Sequence, residues 1–184
     1  QPFLTNGGNT VYDMHSAARK SFDMDTAELA FRRLADEVFD HGGTGSNHSA
    51  YEASGALFNI LCIENDSIRD VYFDTFMNGT PNQDGFHTIL NTIKTNDYLW
   101  PESFTYGKVT HEVVLHLLNV VDKYRDSLNL VNTHRSTLKG AFLYQNMKYP
   151  NKTAAIRMGD SRRVKKISCE NLYLKVLAIA HRRS

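Results

Sequence analysis

Apolar positions recur along the chain at steps of three and four residues, the period of a helix with one buried face. Gln1 to Thr10, with Asn6-Gly7-Gly8-Asn9, reads as coil, and a short helix is predicted from Val11 to Phe22. Asp25 is a good N-cap for the next helix, in which Leu29, Phe31, Leu34, Val38 and Phe39 form the repeating apolar set. The run His41-Gly42-Gly43-Thr44-Gly45-Ser46 ends it, because glycine is favoured just past a helix C-terminus. Ser49 is expected to cap a strongly apolar helix from Ala50 to Glu64, with Leu57, Ile60, Leu61 and Ile63 buried.

Asn65 or Asp66 starts a further helix through Ile68, Val71, Tyr72, Phe73 and Phe76, and Asn78-Gly79-Thr80-Pro81 is a turn. Gln83 to Asn96 carries Phe86, Ile89, Leu90 and Ile93 on one side. Tyr98 to Gly107 is the longest irregular stretch. Thr110 and Val113 open the best helix, which runs to Leu128 through Val114, Leu117, Leu118, Val121 and Tyr124. Helices over Arg135 to Met147 and Arg162 to Ala180 complete the pattern. No stretch alternates apolar and polar residues at a two-residue step, so β structure should be minor. The expectation is one all-α domain over residues 1–184 with seven or eight helices, arranged as a regular stack or as an irregular bundle.

Composition narrows the classes without naming a chemistry. The chain has 184 residues, 41% hydrophobic and 22% charged, which is the profile of a folded domain and not of a disordered one. No apolar run approaches the roughly 20 residues of a membrane span. Cys62 and Cys169 lie too far apart for a CxxC motif, and a single long-range disulfide between them is left open. The start lacks the basic residues and apolar stretch of a secretory leader, so none is expected. Asn47, Asn65, Asn78 and Asn151 stand in glycosylation sequons, which keep secretion open beside a slightly favoured cytoplasmic location.

The formal net charge of +1 conceals a split. Residues 157–184 hold eight bases against two acids, a net +6, whereas residues 1–156 hold 13 bases against 18 acids, a net −5. Arg162, Arg163, Lys165 and Lys166 open the predicted last helix, where cations oppose the helix dipole. That cost favours an anionic partner, or docking on the acidic body, over an idle face.

Catalytic and cofactor motifs are absent. His111 and His116 flank Glu112 in the manner of a zinc-protease helix, but at i and i+5 they point about 140° apart, so they read as surface or boundary histidines. Gly42 to Ser46 lacks the Gly-Lys-Ser/Thr ending of a phosphate loop and reads as a helix connector. No Gly-x-Ser-x-Gly elbow occurs, and no metal site or cofactor is expected. These absences favour a non-enzymatic protein, although catalytic groups can converge from distant segments.

Two helices share an unusual feature, an Asn set in a run of large apolar residues: Ala56-Leu57-Phe58-Asn59-Ile60 and His116-Leu117-Leu118-Asn119-Val120. An Asn there is costly unless it is hydrogen-bonded or faces a groove. The stretch Tyr51 to Ile60, the polar step Glu64 to Asp70 and the Gly-led segment Gly85 to Ile93 together resemble an armadillo repeat. The resemblance covers about residues 50–125 and implies a concave groove in which Asn59 and Asn119 grip an extended peptide. The 60-residue interval between the two asparagines exceeds the family's repeat of about 42 residues. The plain alternative for each Asn is a helix-interior residue bonded to a neighbouring loop.

A second segment, Ile68 to Phe76 with Thr92-Ile93-Lys94, is similar to the central helices of gamma-interferon-like cytokines. The resulting expectation is a non-enzymatic binding or assembly scaffold with a protein or peptide partner at Asn59 and Asn119 and a basic second contact. A secreted cytokine, an enzyme with a dispersed site and a structural subunit of a larger assembly are the alternatives, and an oligomer is compatible with each.

Overall fold

The computed structural model describes residues 10–147 and Ala178. The expected N-terminal coil lies before these residues. Most of the expected C-terminal helix, with Arg162, Arg163, Lys165 and Lys166, lies outside them, as do Asn151 and Cys169.

The described part is mostly helical, as expected, with one small sheet. The order is β1 (Thr10–Asp13), β2 (Ala18–Ser21), α1 (Met24–His41), α2 (Asn47–Ile60), α3 (Asp66–Asn78), α4 (Phe86–Thr95), α5 (Phe104–Tyr124), a 3-10 turn (Asp126–Leu128), α6 (Leu130–Thr133) and α7 (Arg135–Asn146).

The predicted helix over Val11 to Phe22 is an antiparallel hairpin, with Val11 opposite Lys20 and Tyr12 opposite Arg19. Turn chemistry outweighs the local helical pattern. The Asp13 carboxylate accepts the His15 amide and the Ser16 hydroxyl, and Ala17 takes the left-handed conformation at φ 51°. The hairpin and the start of α1 enclose an apolar-lined cleft of about 400 Å³ between Val11, Phe22, Ala27 and Ala30.

Two predicted caps move by three residues or fewer. Asp23, not Asp25, caps α1, accepting the amides of Asp25 and Thr26. Ser46, not Ser49, stands at the start of α2, and Ser49 is buried inside the first turn with its hydroxyl on the Ser46 carbonyl. Asn65, one of the two expected starts, caps α3 through its side chain on the Ile68 amide. The longest helix, α5, begins at Phe104, six residues before the predicted start at Thr110, because Ser103 caps it through the Tyr106 amide.

The buried apolar side chains from Ala35 to Leu138, Ile63 apart, form one continuous cluster. α2 and α5 are central: α2 packs on α1, α3, α4 and α5, and α5 also packs on α6 and α7. α4 buries Phe86, Ile89, Leu90 and Ile93 as the pattern predicted. α1 follows the expected apolar set only in part. It buries Ala35 and Phe39, while Leu29 and Leu34 remain exposed.

Candidate functional site

α2 and α5 lie side by side and run in the same direction. At one end the Asn47 amide donates to Glu102 Oε2 at 3.0 Å, just before α5, and Trp100 Nε1 donates to the same oxygen at 2.7 Å. Toward the other end the Phe58 and His116 rings stand 5.6 Å apart. The two helices turn Ala50, Ala53, Ala56, Leu57 and Ile60 of α2, and Val114, Leu115, Leu118 and Val121 of α5, into the core.

Helical spacing then dictates what remains outside. On α2, Tyr51, Gly55 and Phe58 fall at i, i+4 and i+7, and all three are exposed. On α5, Lys108, Glu112 and His116 fall at i, i+4 and i+8, and Asn119 extends that stripe one turn further. Lys108 and Glu112 form an ion pair of 3.0 Å with most of each side chain covered. Burial pushes the Tyr51 phenol above its ordinary pKa, and the charge of Glu112 adds to the effect. The seam is therefore a pair of exposed aromatic rings on one helix facing an ordered amine, carboxylate and imidazole on the other.

The expected groove asparagines border this seam. Asn59 donates from Nδ2 to the Gly55 carbonyl at 2.8 Å, one turn back in its own helix. Asn119 Oδ1 is buried with no hydrogen-bond partner among the described residues. Asn65 and Asn78 are exposed, with Asn65 capping α3 and Asn78 bonded to the Asp74 carbonyl, and Asn47 is half-buried.

The two α5 histidines part company, as their spacing required. His116 is exposed on the seam. His111 is buried at 1% exposure, its Nε2 against the Thr137 carbonyl, so it is a core residue and not the expected surface or boundary one. Burial lowers its pKa to about 4. Among the described residues no group of three His, Cys, Asp or Glu side chains could hold a metal ion. The Gly42–Ser46 connector spends its amides inside the fold: Gly43 donates to Gln83 Oε1 and Gly45 to Asp84 Oδ2. No helix among the described residues is long and apolar enough to cross a membrane.

Sequence reasoning passed over Tyr51, Phe58, Lys108 and Glu112 as a group. The available signals were an i, i+4 Lys–Glu pair and a helix-interior glycine flanked at four and three residues by aromatics. The pairing of residue 51 with residue 112 is long-range and has no local signature.

Residues 96–184 match the family model described as the second domain of endo-acting ulvan lyase. Over 189 aligned positions, 98% of this chain, the sequence is 30% identical to an endo-acting ulvan lyase of Formosa agariphila. The chain covers 23% of that relative's length. No solved structure matches the chain.

These similarities correct the functional expectations drawn from the sequence. The chain is similar to part of an enzyme, so the reading as a non-enzymatic binding scaffold is overturned, and the cytokine and structural-subunit alternatives have no support. The armadillo resemblance is overturned with it. Its carrier, an Ala-Leu-x-Asn-apolar run, needs only an amphipathic helix whose Asn bonds back to the preceding turn, as Asn59 does.

Proposed function

We propose that the chain is a carbohydrate-contacting part of a polysaccharide lyase. The observation that carries this reading is the 30% identity to an endo-acting ulvan lyase over 98% of the chain. A lyase breaks a glycosidic bond by elimination. A base removes a proton from the carbon beside a uronate carboxylate, the glycosidic oxygen leaves with its electron pair, and a carbon–carbon double bond remains. The substrate is therefore an acidic sugar chain, with hydroxyl-rich edges and apolar C–H faces. The α2–α5 seam offers rings to such faces and charged or amide groups to such edges, which fits a carbohydrate better than a peptide.

The test uses the Formosa agariphila enzyme with its matching region replaced by this chain. The chimera is expected to release unsaturated oligosaccharides from ulvan, followed by ultraviolet absorbance, with the early fall in viscosity that marks cleavage within the chain. A chimera that folds yet makes no unsaturated product, beside an active parent enzyme, overturns the reading.

A further inference from the structure

We infer that the outer face of the α2–α5 seam is a saccharide subsite, in which Tyr51 and Phe58 receive successive sugar faces of an acidic polysaccharide over the bare backbone of Gly55, with Lys108, Glu112 and His116 along its edge. The inference rests on the lyase reading for the class of its ligand and on the geometry for its place.

Gly55 is the point of departure. It lies in the interior of a 14-residue helix, where glycine weakens the helix relative to alanine. A Cβ added there would meet nothing within 4 Å among the described residues, so no packing contact among them requires its absence. What glycine provides at such a position is close approach of something else to the backbone. The two flanking positions on the same stripe are both aromatic and both unusually open, Tyr51 at 40% and Phe58 at 44% exposure. At 1.5 Å rise per residue their seven-residue spacing puts the ring attachments roughly 10 Å apart along the helix, with the glycine gap between them.

The rings are held in place before any ligand arrives. Phe58 leans on the His116 ring at 5.6 Å, and Tyr51 sits beside Glu112, which Lys108 anchors at 3.0 Å. Side chains fixed in this way lose little rotamer freedom on binding. The face is also chemically mixed. Tyr51 is adjoined by a carboxylate and Phe58 by an imidazole, whereas a contact with another protein copy favours a contiguous apolar centre depleted of charge. Alternating apolar faces and polar edges are the surface of a sugar chain, and the Lys108 ammonium, which gives one donor to Glu112, has further N–H donors for its carboxylates.

The experiment titrates the 184-residue chain with ulvan fragments of defined length by calorimetry, with fragments of a neutral glucan as the comparison. Gly55→Leu fills the gap between the rings in open space. It is expected to weaken ulvan binding by about tenfold or more while the melting temperature holds or rises. Phe58→Ala and Lys108→Gln, which leave the gap open, are each expected to weaken binding by about fivefold, and neutral fragments to bind more weakly than ulvan. The inference is overturned by any of four results: a wild-type chain that binds no ulvan, a folded Gly55→Leu chain that binds as the wild type does, neutral fragments that bind equally well, or a self-association in sedimentation that Gly55→Leu abolishes. If the chimera makes unsaturated product while these variants bind normally, the subsite is lost and the lyase reading stands. If the variants weaken binding but the chimera makes no product, the reverse holds.

Discussion

His111 and Gly140 meet face to face across α5 and α7. A Cβ at Gly140 would fall inside van der Waals contact of the His111 ring and of the Tyr98 carbonyl oxygen. The glycine lets α7 approach both, and Tyr98 reaches this position from a left-handed backbone at φ 68°. Gly140→Ala should therefore cost stability despite alanine's better helix propensity. A loss of about 1–3 kcal/mol is expected from overpacking, read from the midpoint of urea unfolding. A midpoint that rises would show that the two helices are not in contact there.

Burial of the same histidine makes stability depend on pH. His111 has its pKa lowered from 6.5 to about 4, chiefly by burial, against a smaller opposing effect of the Thr137 carbonyl. The unfolded chain binds the proton more readily than the folded one. The contribution is thus fully present above pH 6.5 and is lost as pH falls toward 4, at up to about 1.4 kcal/mol per pH unit. His134 adds in the same direction, its pKa lowered by burial and then by His87 and Lys94. Urea midpoints between pH 7 and 4 should fall more steeply for the wild type than for His111→Leu. Parallel curves would remove His111 as the cause.

Gln83 fastens two connectors to each other. It is buried, donates from Nε2 to the Ser49 and Asp84 carbonyls at 2.8 and 3.0 Å, and accepts the Gly43 amide at 3.1 Å. Gln83→Ala leaves the Gly43 amide and the Ser49 carbonyl without their partner, at a cost of about 2–3 kcal/mol. Hydrogen exchange at the Gly43 amide should accelerate together with the lower midpoint. A lower midpoint with Gly43 still protected would trace the loss to packing alone.

Legibility in the sequence follows the range of the interaction. Phe86, Ile89, Leu90 and Ile93 share one helix face by spacing alone, and Asn65 caps α3 through a residue three positions away; both were readable. The hairpin was not, because Asp13 and a left-handed Ala17 make its turn without the Gly or Asn that normally announces one. Leu29 and Leu34 fit the same apolar stripe as Phe39, but α1 buries Phe39 and Ala35 and leaves both leucines exposed, and nothing in α1 itself separates them. The seam was half visible. The separation of His111 from His116 came from helical spacing, and Asn59 and Asn119 were singled out by their apolar surroundings and an armadillo resemblance that does not hold, whereas Tyr51 opposite Glu112 and Phe58 opposite His116 exist only once α2 and α5 are side by side.

Arg125, at the C-terminal end of α5, ties that end to α3 by two kinds of interaction, which salt should separate. Its guanidinium lies 4.6 Å from the centre of the Phe73 ring, and it pairs with Asp70 and, at 3.6 Å, with Asp74. Both carboxylates are largely exposed, so the ion pairs contribute little and are screened by salt. The ring contact is covered on one side by the fold and should persist. Arg125→Ala is expected to cost about 1–2 kcal/mol at low ionic strength, and high salt should remove only the smaller part of that difference. Arg125→Lys should recover part of the pairing but little of the stacking, since an ammonium lacks the flat face that lies over Phe73. If high salt abolishes the whole difference between wild type and Arg125→Ala, the ring contact contributes nothing, and the end of α5 is held by exposed charge alone.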